Sequence, residues 1–488
     1  MRTTKSVYLI IFGLATALRA ATVTSTADSG AGSLRDVLAA AAANEVITFA
    51  AALDGATITL TSGPLEVSGR SVTLDASGLS GGVKLSGNNA SRVLTITAEA
   101  DVTLKKLHIR GGREIANKGG GLLVAESALR MEDCSIEGCE ALSDGGGIWL
   151  NSVTGSITRC RISGNSAGNF GGGLFIIGAS ALTVSSSQVS GNASATGGGF
   201  YIISASPVLV GCTIQGNSGS GVATQTFAAP ALRNSILWDN RGGGGTTLAA
   251  QQLRNIRVFN PVINTDPAPA VDSCLIEGAT DANSFADANL TTWGSGNLNG
   301  TTSQPRFISA PAASSAPGSN ANLRLRSTSD ALNAGSNALT SDLTDLARRP
   351  RIQATTVDLG AFEGAYVSFA LLHPGMDPNG DQNGNGLNNL AEYAMGRDPA
   401  APHTHPGLPG ITRNGNSWTL ALSERTNAAD IVTTWCSSPD CATWTPLRPT
   451  TDFLIISSTQ TGTRNDFLLD LDGAQPRRFF KQIFSTGN

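Results

Sequence analysis

Four glycine triplets recur every 26 residues, at 119–121, 145–147, 171–173 and 197–199. Each precedes an apolar segment: Leu122-Leu123-Val124, Ile148-Trp149-Leu150, Leu174-Phe175-Ile176 and Phe200-Tyr201-Ile202. A fixed period of this size is one structural unit copied and stacked. A second track keeps step with the first. It reads Cys134-Ser135-Ile136-Glu137-Gly138, then Cys160-Arg161-Ile162-Ser163-Gly164-Asn165, Ser187-Gln188-Val189-Ser190-Gly191-Asn192 and Cys212-Thr213-Ile214-Gln215-Gly216-Asn217. A copy of about 25 residues accommodates three short strands and three turns, and the spaced leucines of a leucine-rich repeat are absent. The expected fold is all-β: a right-handed, single-stranded parallel β-helix whose coils stack along one axis.

The rest of the chain fits that reading. Charged residues are 14%, aromatics 5%, and Gly accounts for 57 of 488 residues. Long helices want Leu, Glu and Lys, whereas Gly- and Asn-rich turns join short strands. A net charge of −4 excludes the broad basic footprint of a nucleic-acid binder. Arg2 and Lys5 precede an apolar run from Val7 to Leu18 and then Arg19-Ala20-Ala21. Residues 1–20 therefore read as a signal peptide. The run falls short of the ~20 apolar residues that span a bilayer, and no later segment reaches that length. Export of a soluble chain starting near Ala21 is expected.

The organisation predicted is a β-helix over 21–365, a linker over 366–400 and a small β-sandwich over 401–488. Ser33 and Asp36 resemble a capping box that opens a short helix, placed to plug the end of the solenoid. Asn165, Asn192 and Asn217 recur at one turn. A stack of Asn side chains can hydrogen-bond along the axis, and Asn tolerates left-handed turns. Cys134, Cys160 and Cys212 share one repeat position, which Ser187 takes in the third copy. They are expected as small buried thiols, although rungs ~4.8 Å apart would also allow a Cys134–Cys160 bond. Cys436 and Cys441 enclose a Ser-Ser-Pro-Asp turn and, in an exported domain, are expected to be bonded. The alternating runs from Trp418 to Phe484 supply the strands of the sandwich.

Several stretches resemble a known group. Residues 24–37 (TSTADSGAGSLRDV), 92–112, 234–240, 297–307 and 357–363 (VDLGAFE) resemble bacterial exported β-helix proteins called choice-of-anchor Q domain proteins. The Ser-Gly-Asn and Gly-Gly-Gly repeats are similar to polymorphic outer membrane protein repeats. Ile162, Val189 and Ile214 here take the place of the usual Phe, and a third Gly replaces Ala. Residues 377–399 and the segment after them resemble C-terminal modules of exported proteins from Verrucomicrobia-like bacteria. These resemblances imply a secreted or outer-membrane-associated protein of a Gram-negative bacterium, in families mostly without a proven reaction.

Two candidate sites follow from the residues. Leu123, Trp149, Phe175 and Tyr201 lie 26 apart, each one place after the first apolar residue of its strand. Strand alternation turns them outward if Ile148 points in. Such a column is a platform for sugar rings or a partner protein, unless a loop covers it. The linker matches the calcium-loop pattern D-x-[DN]-x-[DN]-G-x5-E through Asp381, Asn383, Asn385, Gly386 and Glu392. Leu387 would add its carbonyl, and Asp377 just upstream is a further candidate. Calcium takes six to eight oxygens, and with two Asn for Asp the site should be weak.

Catalysis finds less support. Polygalacturonases and pectate lyases share the β-helix scaffold, and Asn264-Thr265-Asp266 resembles one polygalacturonase motif. No paired Asp-Asp, Gly-His-Gly or Arg-Ile-Lys follows it, and no His lies between His108 and His373. Arg159 and Arg161 beside Glu132 and Asp133 read as solvated ion pairs between rungs, and Arg348-Arg349-Pro350-Arg351 as a loop. The function expected is a non-catalytic surface or secreted protein that binds polysaccharide or protein. The alternative is a lyase or glycoside hydrolase acting in the β-helix groove. Titration calorimetry of the full chain should show a calcium-binding heat with a dissociation constant of about 10⁻⁴–10⁻³ M, lost in Glu392→Gln.

Overall fold

The computed structural model describes residues 20–242, 256–259, 269–281, 292–340, 342–353, 355–364, 376–377, 380, 382, 389 and 400, together with strands between 411 and 486. The chain divides into two compact units, 1–323 with 330–363, and 324–329 with 364–488.

In the first unit the chain winds into a parallel β-solenoid with three strand faces. Among the described residues face one has 11 strands, face two nine and face three eight. One coil runs through Ala128–Glu132 on face one, Ser135–Glu137 on face two and Ile148–Asn151 on face three. Coils pair in register: Ile136 faces Ile109 on one side and Ile162 on the other. On face three Leu122, Ile148, Leu174 and Phe200 pair in sequence. All of these side chains are fully buried. Like stacks on like because strand period 2 and a constant coil length return each inward position to the same place.

The glycine triplets sit where backbone stacks on backbone. Gly145 adopts φ +68, and a Cβ there would come 2.9 Å from the Cβ of Trp149. A Cβ on Gly146 or Gly147 would lie 2.6 Å from the carbonyl oxygen of Gly172 or Gly173 in the next coil. The coils instead bond directly through Gly146 N–H to Gly171 O at 3.1 Å and Gly147 N–H to Gly172 O at 3.0 Å.

The expected asparagine stack is present and longer than the three copies. Asn165, Asn192, Asn217 and Asn240 are all fully buried. Each Oδ1 accepts from the previous coil: Asn192 Oδ1 from Asn165 N–H at 3.0 Å and Nδ2 at 2.9 Å, Asn217 Oδ1 from Asn192 N–H at 2.9 Å. Each Nδ2 also reaches a strand carbonyl, as Asn192 Nδ2 does to Ile162 O at 3.0 Å. Cys139 begins the column, its N–H donating to Asn165 Oδ1 at 2.9 Å. The left-handed turn is taken by the preceding glycines, Gly164, Gly191 and Gly216, rather than by Asn. An extended Asn aims its amide inward, where the ladder needs it.

The thiols form a second column. Cys134, Cys160, Cys212 and Cys274 belong to it and, like Cys139 of the asparagine column, are buried and unbonded. Cys160 N–H donates to Ser187 Oγ at 3.0 Å, and Cys212 N–H to Ser235 Oγ at 3.1 Å. Ser187 and Ser235 thus alternate with the thiols as small acceptors. Burial pushes the Cys139, Cys212 and Cys274 thiols up to about 12, which keeps them protonated and inert.

At the N-terminal end the helix Leu34–Ala40 is capped by Ser33, whose side chain accepts from Asp36 N–H. Leu34 and Leu38 join the same core as the coils, so the helix closes that end against water. In the second unit the strands form antiparallel sheets of four and three strands. They include all five alternating runs expected between Trp418 and Phe484. Cys436 lies on the strand Ile431–Ser438, and its side chain and Cys441 fall outside the described residues.

The ladder should carry much of the cohesion between coils. Asn192→Ala removes four bonds from a fully buried site, and equilibrium unfolding in guanidinium should show a loss of about 2–4 kcal/mol.

Candidate functional site

The aromatic column exists, but it is covered. Trp149 stacks on Phe175 with ring centroids 6.4 Å apart, and Phe175 on Tyr201 at 5.6 Å. Their register matches the 26-residue spacing, with Leu123 at one end and Ala223 at the other. Exposure is only 9% for Trp149, 4% for Phe175 and 2% for Tyr201. The segment that leads into each strand folds back over the column. Phe170 stacks on Tyr201 at 4.5 Å, and Lys118 Nζ sits 4.9 Å from the Trp149 ring centre. These segments also pair with one another through Arg113–Glu114, Glu140–Ala141 and Ser166–Ala167. The expectation of an open platform is therefore corrected: no ring face is left for a sugar, and the column is a second small core.

Of the calcium-loop residues, Asp381, Asn383, Asn385, Leu387 and Glu392 lie outside the described residues. The Asp377 carbonyl accepts from Gly380 N–H at 3.1 Å and from Asn389 Nδ2 at 2.8 Å. Among the described residues no group of three or more His, Cys, Asp or Glu is placed to hold a metal ion.

Face two presents the accessible chemistry. Its outward side chains are the variable positions of the Cys-x-Ile-x-Gly track. One column runs Lys84, His108, Ser135, Arg161, Gln188, Thr213. The parallel column runs Ser86, Arg110, Glu137, Ser163, Ser190, Gln215. The far part is sealed by the chain that follows the coils. Gln215 donates to Pro311 O at 2.8 Å, Gly318 N–H to Gly191 O at 2.8 Å, and Ala361 N–H to Thr213 Oγ1 at 2.9 Å. Gln188, Ser190, Thr213 and Gln215 are buried under it.

The cover is locked by the residues read earlier as a basic loop. Arg351 is buried, with its guanidinium 3.6 Å from Glu363 and donating to Gly360 O at 2.6 Å. Asp345, fully buried, accepts from the N–H groups of Ala347, Arg349 and Glu363 and pairs with the Arg349 side chain at 3.2 Å. Burial, reinforced by the neighbouring Asp358 charge, pushes Glu363 up to about 8.

Where the cover ends a cavity of about 210 Å³ opens, lined by His108, Asp133, Cys134, Ser135, Arg159, Arg161 and 346–348. Asp133 and Arg159 are left-handed corner residues, at φ 55 and φ 50, which throws both side chains outward. Asp133 bridges Arg159 at 3.0 Å and Arg348 at 2.6 Å, while Arg159 also pairs with Glu132. The cross-rung ion pairs are thus as expected, but Arg159 and Asp133 are mostly buried and form a cavity wall. Arg161 donates to Gln188 Oε1 at 3.1 Å and lies 5.4 Å from the Phe362 ring centre. His108 Nδ1 is 3.0 Å from Ser135 Oγ. Burial pushes His108 below its usual 6.5, helped by Lys84 and Lys106 and opposed by Glu137, so the ring is mainly neutral at pH 7.

With this geometry in place the likenesses to known proteins can be stated. The family described as Right handed beta helix region matches residues 80–260. The chain carries a right-handed parallel β-helix. The crystal structure of pectate lyase Pel9A aligns with a TM-score of 0.41 and 14% identity, covering 70% of this chain and 96% of that one. No curated protein matches the sequence. These likenesses concern the winding of the backbone and transfer no reaction.

Sequence reasoning missed His108, Ser135 and Arg348 as neighbours. The signal for the first two was available: Leu107-His108-Ile109-Arg110-Gly111 is one more copy of the x-Ile-x-Gly track. The proton on Glu363 gives a test of the lock. A folded-state value near 8, above the unfolded 4.5, means the folded chain holds a proton that the unfolded chain releases. That stabilisation is complete below about pH 4.5 and is lost as pH rises through about 8. Melting temperature should fall over this window, and Glu363→Gln should flatten the slope.

Proposed function

We propose that the protein is an exported binding protein that holds an anionic polysaccharide against the open part of face two. The observation that carries this reading is where the cover stops. It buries the neutral residues Gln188, Ser190, Thr213 and Gln215, and leaves Lys84, His108, Arg110 and Arg161 at least partly exposed, the second and fourth of them lining the cavity. Successive rungs of a parallel sheet lie ~4.8 Å apart, so these groups form a row along the solenoid axis. A polymer with a carboxylate on each residue can lie along such a row, each guanidinium donating to a carboxylate in bidentate fashion. The scaffold is rigid before binding, so little conformational entropy is lost. The local basic row stands out because Lys and Arg together number 33 against 37 acidic residues over the whole chain.

The N-terminal apolar run supports export, and the likeness to choice-of-anchor Q proteins supports a surface or secreted location. No helix among the described residues is long and apolar enough to cross a membrane. Calcium in the 377–392 loop belongs to the same proposal, as a structural ion of the C-terminal module. Polygalacturonate immobilised in a gel should retard the full-length protein more than its fully methyl-esterified form. Retardation should weaken with salt, and Lys84→Ala with Arg161→Ala should reduce affinity at least tenfold while the melt stays unchanged. Equal retention by acidic and neutral polymers would sink the proposal, and release of unsaturated uronates would move the reading to a lyase.

A further inference from the structure

The cavity places a serine that polymer binding does not use between two residues that it does, His108 and Arg161. His108, Ser135 and Arg161 are register partners on three successive coils, and all three line it. Ser135 Oγ is 3.0 Å from His108 Nδ1. The Gly81 backbone also faces the imidazole and favours its protonated form. With the ring proton on Nε2, Nδ1 is left to accept the serine proton. Gly82 keeps this geometry open: it adopts φ +61, and a Cβ there would lie 2.9 Å from His108 Nε2. Arg161 is the register partner of Ser135 on the next coil, its guanidinium held by Gln188 at 3.1 Å and by the Phe362 ring. Base, nucleophile and cation thus follow one another along the axis at rung spacing.

We propose that His108 and Ser135 are a base–nucleophile pair that cleaves carboxylic esters of short acyl groups, with Arg161 stabilising the oxyanion. Ser135 Oγ bonds to the ester carbonyl carbon as its proton passes to His108 Nδ1, and the carbonyl oxygen becomes an oxyanion beside Arg161. Collapse breaks the bond to the leaving alkoxide, which takes the proton from His108 and departs as an alcohol. Water, deprotonated by His108, then attacks the acyl-serine and releases the carboxylic acid, returning the proton to Ser135. A cavity of about 210 Å³ suits an acetyl-sized group rather than a long acyl chain. A neutral His108 at pH 7 has the protonation state the first step requires. The inference does not depend on the polysaccharide reading.

The test is to treat the folded, full-length protein with an alkyl fluorophosphonate and locate the adduct by peptide mass spectrometry. The expected adduct is on Ser135. Hydrolysis of p-nitrophenyl acetate should disappear in Ser135→Ala. His108→Gln should slow labelling at least 100-fold, in line with the ~10²–10⁴ of general-base assistance, with an unchanged melting curve. An unlabelled Ser135 in the native protein, which requires no variant to fold, overturns the proposal. So does labelling at the native rate in His108→Gln. Polymer retention measured on the same samples separates the two ideas. Retained but unlabelled protein removes the ester chemistry alone, and labelled but unretained protein removes the polymer alone.

Discussion

Each coil hydrogen-bonds to the next in register, and every other property of the solenoid follows from that pairing. An in-register parallel sheet places a residue directly over its counterpart one coil away. A position that suits burial once must suit it in every copy. Ile136, Ile162, Val189 and Ile214 satisfy this inside face two, and Leu122, Ile148, Leu174 and Phe200 inside face three. The same constraint explains the polar columns. A single buried Asn would leave an amide short of partners, whereas a stack satisfies each member through the next. Asn165, Asn192, Asn217 and Asn240 are such a stack. Glycine triplets are the steric form of the same rule, because two backbones that bond directly leave no room for a Cβ.

Columns end somewhere, and the endings carry the individuality of the molecule. The helix Leu34–Ala40 closes one end. The segments 311–323 and 330–363 close much of face two, and their lock is buried and polar. Largely buried Arg349 pairs with fully buried Asp345, and buried Arg351 lies 3.6 Å from Glu363, which holds a proton below about pH 8. Buried ion pairs of this kind contribute little net stability, but removing one partner strands the other. They fix where the cover lies and where it stops. Its edge at Leu346, Ala347 and Arg348 meets Arg159 and Asp133 and makes a cavity that neither element forms alone.

How much of the site could be read in advance differs from residue to residue. The stacking of Trp149, Phe175 and Tyr201 was legible from spacing, because equal steps in sequence are equal steps along the axis. Their burial was not. Alternation shows which side of a strand a residue occupies, but not whether another segment lies over that side. His108 and Ser135 belong to a legible column, yet neither stands out by type in a chain rich in serine. The partners of Asp133 split the same way. Arg159 is one coil away and could be anticipated, whereas Arg348 lies 215 residues further along and could not.

By itself the sequence determined the winding: a 26-residue period, inward Ile and Val, buried Asn at the turn and Gly where coils touch. These are local rules repeated, and repetition makes them readable without coordinates. Only the tertiary structure decided which faces meet water. It placed the folded-back segments over the aromatic column and the Arg351–Glu363 lock over face two, leaving His108, Ser135 and Arg161 to line a cavity at the edge of the cover. The physical reason is that cover comes from contacts between segments far apart in the chain, whose partners no local period specifies.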